Sequence, residues 1–265
     1  MANEAVWRSG GLAAGLVAGV MLARGASLLS ARPPDRLPPD IHAEYVKFAS
    51  GTDSITGYIA YPQRADPAPA VLVIHEIFGM SDFVREATQR LAQQGFVALA
   101  PDLLSRRGGT PASPDDARKL IALLNPDTIT QDLDAAAAYV QGLKAVNSAR
   151  IGVIGFCWGG GESLRYAAHN QSLRAFVVCY GPVPKAYFDL ARIKATGFGV
   201  YADRDGRVTQ SVYNLVRDLH KTNVDYRFTI YPNTAHGFLR TREPPRAAVE
   251  AWEDILLFLN TWLNK

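Results

Sequence analysis

From residue 41 onward, apolar positions alternate between short unbroken runs and longer amphipathic stretches. Ala70-Val71-Leu72-Val73-Ile74, Phe96-Val97-Ala98-Leu99-Ala100 and Ile151 to Ile154 are continuous apolar runs, the pattern of strands covered on both faces. Ala175 to Cys179, Gly197 to Ala202 and Tyr226 to Tyr231 read as three further strands. Helical patterns occupy Phe83 to Gln94, closed by Gly95, then Asp115 to Leu124, Thr128 to Val146, Glu162 to His169, Thr209 to Leu219 and Val249 to Leu263. Ala135 to Ala138 is a good helix-forming run within the third of these. Strands alternating with helices predict an α/β fold, with a mainly parallel sheet and helices on both faces. Tyr45 to Phe48 and Ile55 to Tyr61, separated by Gly51-Thr52-Asp53, predict a hairpin at the sheet edge. No internal repeat is present.

The pattern before residue 41 differs. Ser9 to Ala23 is uncharged and rich in Ala, Gly, Leu and Val, with Arg8 before it and Arg24 after it. It is short for a spanning helix, which needs roughly 20 apolar residues. It fits the apolar region of an export signal better, although Glu4 and a single Arg8 make a weak positive flank. Export or membrane anchoring through residues 9–31 is the favoured expectation, and a helical extension of a cytoplasmic enzyme is the alternative. Pro33, Pro34, Pro38 and Pro39 read as a linker. The expected organisation is a leader or anchor segment over residues 1–40 and one domain over residues 41–265.

Composition narrows the function. The 28 basic residues against 25 acidic ones give a formal charge of +3, too mild and too scattered for a nucleic-acid partner. The two cysteines, Cys157 and Cys179, lie in no CxxC pair and beside no metal-type histidine spacing.

Gly155-Phe156-Cys157-Trp158-Gly159 is the strongest local signal. An apolar strand runs into it, Gly159, Gly160 and Gly161 follow, and then a helix begins. In a sharp strand-to-helix turn, glycines two before and two after the central residue remove Cβ atoms that would clash. The central side chain then stands at the C-terminal edge of the sheet beside a helix N-terminus, whose N–H groups favour a thiolate and a developing oxyanion. A cysteine there suits a nucleophile because its thiol titrates near about 8.5 even unperturbed. A buried structural cysteine in a glycine-rich turn is the plain alternative. Cys179, inside Phe176 to Tyr180, reads as core.

Where such a turn carries the nucleophile, an acid and then a histidine follow on loops after later strands. Asp205 lies in the Asp203-Arg204-Asp205-Gly206 turn and is the preferred acid, with Asp203 second; either also suits turn formation. His236 follows the last strand between Ala235 and Gly237, ahead of the final helix. His42, His75, His169 and His220 have weaker placements, and His75 reads as ordering the loop after its strand. That loop, His75-Glu76-Ile77-Phe78-Gly79, occupies the position that supplies one oxyanion donor, here the Ile77 N–H; the other is the Trp158 N–H. Glu76, between a buried strand and an apolar pair, must be solvated, paired or functional. As a functional group it controls Cys157, because a nearby anion disfavours the thiolate.

Taken together, His75-Glu76-Ile77-Phe78-Gly79, Gly155-Phe156-Cys157-Trp158-Gly159-Gly160, Asp205 and Ala235-His236-Gly237-Phe238 resemble the dienelactone hydrolase family, the carboxymethylenebutenolidases, over roughly residues 41 to 265. The resemblance implies an α/β-hydrolase fold and a Cys157, His236 and Asp205 triad with no metal or other cofactor. It implies that Glu76 holds the resting thiol protonated and takes its proton when substrate binds. It also implies two arginines for a substrate carboxylate. Arg106, after Asp102-Leu103-Leu104-Ser105, and Arg240, four residues beyond His236, match those positions, with Arg107 and Arg242 as competing neighbours. The expected partner is a small carboxylate-bearing lactone or ester. A broad carboxylesterase or thioesterase of the same fold is the nearest alternative, and a non-catalytic binding protein on that scaffold is the more distant one.

Overall fold

Strands that are apolar on both faces have to be sandwiched, and the chain does this with one eight-stranded sheet and two layers of helix. The computed structural model describes residues 41–184, 188–241 and 243–264. The expected leader or anchor over residues 1–40, and Arg242, lie outside them. The elements in chain order are β1 (Ile41–Ser50), β2 (Asp53–Pro62), β3 (Ala68–Ile74), α1 (Asp82–Gln93), β4 (Val97–Pro101), α2 (Pro114–Ile121), α3 (Pro126–Gln141), β5 (Val146–Phe156), α4 (Trp158–His169), β6 (Ala175–Cys179), β7 (Thr196–Ala202), α5 (Gly206–Leu219), β8 (Tyr226–Tyr231) and α6 (Arg246–Leu263).

The spatial order is β1-β2-β4-β3-β5-β6-β7-β8. The β1–β2 hairpin pairs antiparallel with β4, and every later pairing is parallel. Alternation along β3 explains its unbroken apolar run. Ala70, Leu72 and Ile74 join the core under α3, α4 and α5, while Val71 and Val73 join the core under α1 and α6. A third, smaller cluster of Leu104, Ala117 and Ile121 seats α2 against Ile77 and Trp158.

The register fixes where the functional loops emerge. Ile74 pairs with Gly155, Phe156 with Cys179, Cys179 with Val200, and Ala202 with Tyr231. The C-terminal ends of β3, β5, β6, β7 and β8 therefore share one edge, and the chain leaves each strand there.

Two expectations need correction. The helix predicted to reach Val146 ends at Gln141; Val146 opens β5 opposite Ala68 of β3, so sheet pairing overrides local helical preference. The helix predicted from Glu162 starts at Trp158, and the three glycines form its first turn. The backbone of neighbouring strands crowds that turn, which is why side chains are missing from it.

One polar knot ties the hairpin to the helical layer. Asp132 of α3 is 1% exposed and accepts from Ser50 Oγ at 2.6 Å. It also accepts from Arg106 Nε at 3.0 Å and Nη2 at 2.8 Å. Arg106 Nη2 donates in addition to the Ser50 carbonyl at 3.0 Å, and its Nη1 pairs with Asp53. Removing one member of a buried ion pair strands the other, at about 3–5 kcal/mol. Asp132→Ala should therefore destabilise the domain by about 3 kcal/mol in urea unfolding, and Asp132→Asn by less. A loss below about 1 kcal/mol for Asp132→Ala would mean that solvent already screens the knot.

Candidate active site

Cys157 caps α4 with φ 53° and ψ −121°, a conformation that non-glycine residues rarely hold. Backbone contact forces it. A Cβ on Gly155 would stand 1.9 Å from the Gly159 carbonyl oxygen, and one on Gly159 would stand 2.3 Å from the His75 carbonyl oxygen. The Cys157 N–H donates to the Cys179 carbonyl at 3.0 Å, which pins the turn to β6. The side chain is left half-buried where β5 meets α4.

His236 reaches this thiol from the loop after β8. Its Nε2 lies 3.0 Å from Cys157 Sγ, and its Nδ1 lies 2.5 Å from Asp205 Oδ2. Asp205 caps α5, directly after the β7 turn. Asp203, the second-choice acid, has a different task. It accepts the Asn233 N–H at 2.8 Å and the Thr234 N–H at 2.9 Å, which ties the β7 turn to the segment that carries His236. The hydrogen bonds from Asn233 and Thr234, together with Arg204, hold its carboxyl below the ordinary range.

Glu76 comes from the third loop and is 1% exposed. Arg240 Nε stands 3.1 Å from its Oε2 without the alignment of a hydrogen bond, so the pair is held by charge and Oε2 accepts no directed N–H. Burial pushes the Glu76 carboxyl up to about 7, with Arg240 pulling the other way. The Arg240 guanidinium also lies over the Phe78 ring at 4.7 Å.

Burial and four groups act on the thiol itself. Burial raises its pKa most, the Trp158 N–H lowers it, Glu76 raises it, and the Ile77 N–H and the Arg207 charge lower it. The two backbone donors expected from the sequence, on different loops, thus both favour the anionic form of the thiol. His75 braces both. It is fully buried, donates from Nδ1 to the Glu76 carbonyl at 2.8 Å and accepts the Leu103 N–H on Nε2 at 3.2 Å. Because Leu103 N can only donate, the ring is the neutral Nδ1–H tautomer. Burial lowers its pKa, which keeps it so. The ring stacks on Trp158 at 5.6 Å.

The structure brings together Cys157, His236, Asp205, Glu76, Ile77, Trp158 and Arg240. It does not bring Arg106 to them. The Arg106 fork is occupied by Asp132, Asp53 and Ser50, and among the described residues no contact joins it to the cluster. Arg106, which the resemblance assigns to a substrate carboxylate, is engaged here in the structural knot described above.

Tyr180 is a further residue at the site. It follows β6 at φ 40°, is fully buried, and sets its ring edge-on to His236 at 5.2 Å. Among the described residues its hydroxyl has no hydrogen-bond partner. Its place at the end of a strand beside the cysteine turn was the available signal.

A thiol at the C-terminal edge of a mainly parallel sheet, paired with a histidine and a carboxylate from later loops, defines the chain as an α/β-hydrolase. The model of the dienelactone hydrolase family matches residues 55–263, and the chain belongs to that family. It is 32% identical over 233 residues to the “Putative carboxymethylenebutenolidase” of Methylorubrum extorquens, covering 83% of this chain and 80% of that one. It is 32% identical over 246 residues to the protein of the same name in Escherichia coli K12, covering 85% and 89%. Among solved structures it resembles the “Putative Dienelactone Hydrolase” of Klebsiella pneumoniae, with a TM-score of 0.77, 28% identity and coverage of 84% and 100%. An esterase from Pyrobaculum calidifontis shares the fold alone, at 16% identity, a TM-score of 0.66 and coverage of 83% and 85%.

The Glu76 environment predicts a pH dependence of stability. The folded chain favours the neutral carboxyl, so its contribution is complete below about pH 4.5 and is lost as pH rises through about 7. At about 1.4 kcal/mol per pH unit this span is worth on the order of 3 kcal/mol. Glu76→Gln should gain on the wild type by up to about that amount between pH 4.5 and 8 in urea unfolding. A difference that stays constant across this range would overturn the assignment.

Proposed function

We propose that the protein hydrolyses a carboxylate-bearing lactone or activated ester through a Cys157, His236 and Asp205 triad and an acyl-thioester intermediate. The observation that carries the reading is the His236 ring spanning 3.0 Å to Cys157 Sγ and 2.5 Å to Asp205, with a buried second carboxylate beside the same thiol.

The chemistry runs in two halves. In the resting site, burial and Glu76 both favour the protonated thiol. A substrate carboxylate that engages Arg240 draws on the cation that now faces Glu76. With that cation shared, the Glu76 carboxylate becomes more basic and accepts the Cys157 proton. The thiolate forms a bond to the carbonyl carbon, and the carbonyl π pair moves to oxygen, where the Ile77 and Trp158 N–H groups hold the negative charge. Collapse of that intermediate breaks the C–O bond to the leaving oxygen, which is protonated from Glu76. His236, held by Asp205, then takes a proton from water as the water oxygen attacks the thioester. That proton returns to sulfur as the C–S bond breaks, releasing the acid and restoring the thiol. No metal or organic cofactor enters this sequence.

Cys157→Ala should abolish turnover of lactones and p-nitrophenyl esters while leaving the circular dichroism spectrum and melting transition in place. A Cys157→Ala enzyme that works at the wild-type rate would exclude the thiol as nucleophile. Glu76→Gln should lower kcat/KM by about 10²- to 10⁴-fold, the range of a lost general base.

A further inference from the structure

His75 is fully buried, directly after β3, and takes no part in the proton transfers proposed above. Burying an imidazole is costly unless its ring nitrogens find partners. Both do. Nδ1 donates to the Glu76 carbonyl at 2.8 Å, and Nε2 accepts the Leu103 N–H at 3.2 Å. The ring is a rigid strut between the loop after β3 and the segment after β4.

The strut ends on a particular peptide unit. The Glu76 carbonyl shares its plane with the Ile77 N–H, and because that peptide is trans the two groups point in opposite directions. A donor that fixes the direction of the carbonyl therefore fixes the direction of the Ile77 N–H as well. The Gly79 N–H donates to the same carbonyl at 3.1 Å, so the unit is held by two donors.

The far end of the loop is fixed by the same neighbouring segment. A Cβ on Gly79 would collide with Thr110 Oγ1, and the Met80 N–H donates to that oxygen at 3.0 Å. Thr110 is held in turn by Asp102, which accepts its N–H at 2.8 Å and its hydroxyl at 2.9 Å. Asp102 and Leu103 are consecutive, so one stretch of chain clamps the loop at both His75 and Gly79, with the Ile77 N–H between the clamps. The His75 ring also stacks at 5.6 Å on Trp158, the residue read as the second oxyanion donor.

We propose that His75 is a positioning residue for the oxyanion hole, and that its Nδ1–H aims the Ile77 N–H by holding the Glu76 carbonyl. The proposal rests on the reading of Ile77 as an oxyanion donor. His75 itself touches neither the substrate nor the thiol in this role.

Two variants separate the ring nitrogens. An Asn amide reaches the place of Nδ1, and a Gln amide reaches the place of Nε2. His75→Asn thus keeps the donor to Glu76 and loses the acceptor for Leu103, while His75→Gln does the reverse. The readout is kcat/KM for p-nitrophenyl acetate divided by kcat/KM for its thionoester, in which sulfur replaces the carbonyl oxygen. Sulfur is a weak acceptor, so the ratio reports the donors aimed at that atom, and it does not change with the fraction of enzyme that is folded. His75→Gln should lower the ratio by about tenfold, part of the roughly 10²- to 10³-fold that a whole oxyanion donor carries, and His75→Asn should keep it within about twofold. The melting temperature should fall in both variants, because each leaves a buried backbone group without its partner. A ratio within about 1.5-fold of wild type in His75→Gln would overturn the proposal. Equal losses in the two variants would overturn it too, since general loosening of the loop gives that result. A wild-type ratio no larger than that of a small thiolate in solution would overturn the reading of Ile77 and Trp158 as oxyanion donors, and the proposal with it, while the role of Cys157 is decided separately by Cys157→Ala.

Discussion

Backbone packed against backbone at the end of β5 decides where the chemistry can stand. Gly155 lies so close to Gly159, and Gly159 so close to the end of β3, that neither position has room for a side chain. The chain has to turn at Cys157, and the turn forces a positive φ on a residue that resists it, at a cost of order 1–3 kcal/mol. Sheet burial on both faces and the Cys157 to Cys179 hydrogen bond offset that strain. Because β3, β5, β6, β7 and β8 are in parallel register, the same edge also receives Glu76, Tyr180, Asp205 and His236. The site is thus a consequence of strand alignment, with loops only a few residues long to cross.

Within that frame, electrostatics sets a resting state. Burial penalises both the Glu76 carboxylate and the Cys157 thiolate, and each anion makes the other less favourable. Two anions side by side in a half-buried site are therefore disfavoured. The arrangement with the thiol protonated is the favoured one. The Ile77 and Trp158 N–H groups work against this locking by favouring charge at Sγ. On the proposed mechanism, an anion competing for Arg240 tips the balance and moves the proton. His75 contributes through geometry alone, since its neutral ring links the Glu76 carbonyl, the Leu103 N–H and the Trp158 ring.

Much of this was legible in the sequence, and what was not has identifiable causes. The strand cores, the cysteine turn and the histidine loop announce themselves through unbroken apolar runs and glycine spacing, which are local signals. The end of α3 and the start of α4 were misjudged because sheet pairing at Val146 and crowding around Gly159 are set by distant segments. Arg106 misled for a similar reason. Its carboxylate partner, Asp132, is 26 residues away, and nothing between them in sequence marks the pair. Tyr180 gave only its place at a strand end, since it matters through what the register sets beside it.

Arg106 and Arg240 show how environment rather than identity sorts a cation's role. Arg106 is enclosed by carboxylates and is spent on joining the hairpin to α3. Arg240 is half-exposed, lies over the Phe78 ring and faces a carboxyl that is itself reluctant to ionise. Its charge is therefore only partly cancelled and can be recruited by an incoming anion. A guanidinium in bulk water would gain little from one more carboxylate, but next to a half-buried thiol, with low-dielectric protein on one side, the same charge acts over a longer reach. On the proposed reading, recruitment of a substrate carboxylate follows from the charge that Arg240 retains at the sheet edge.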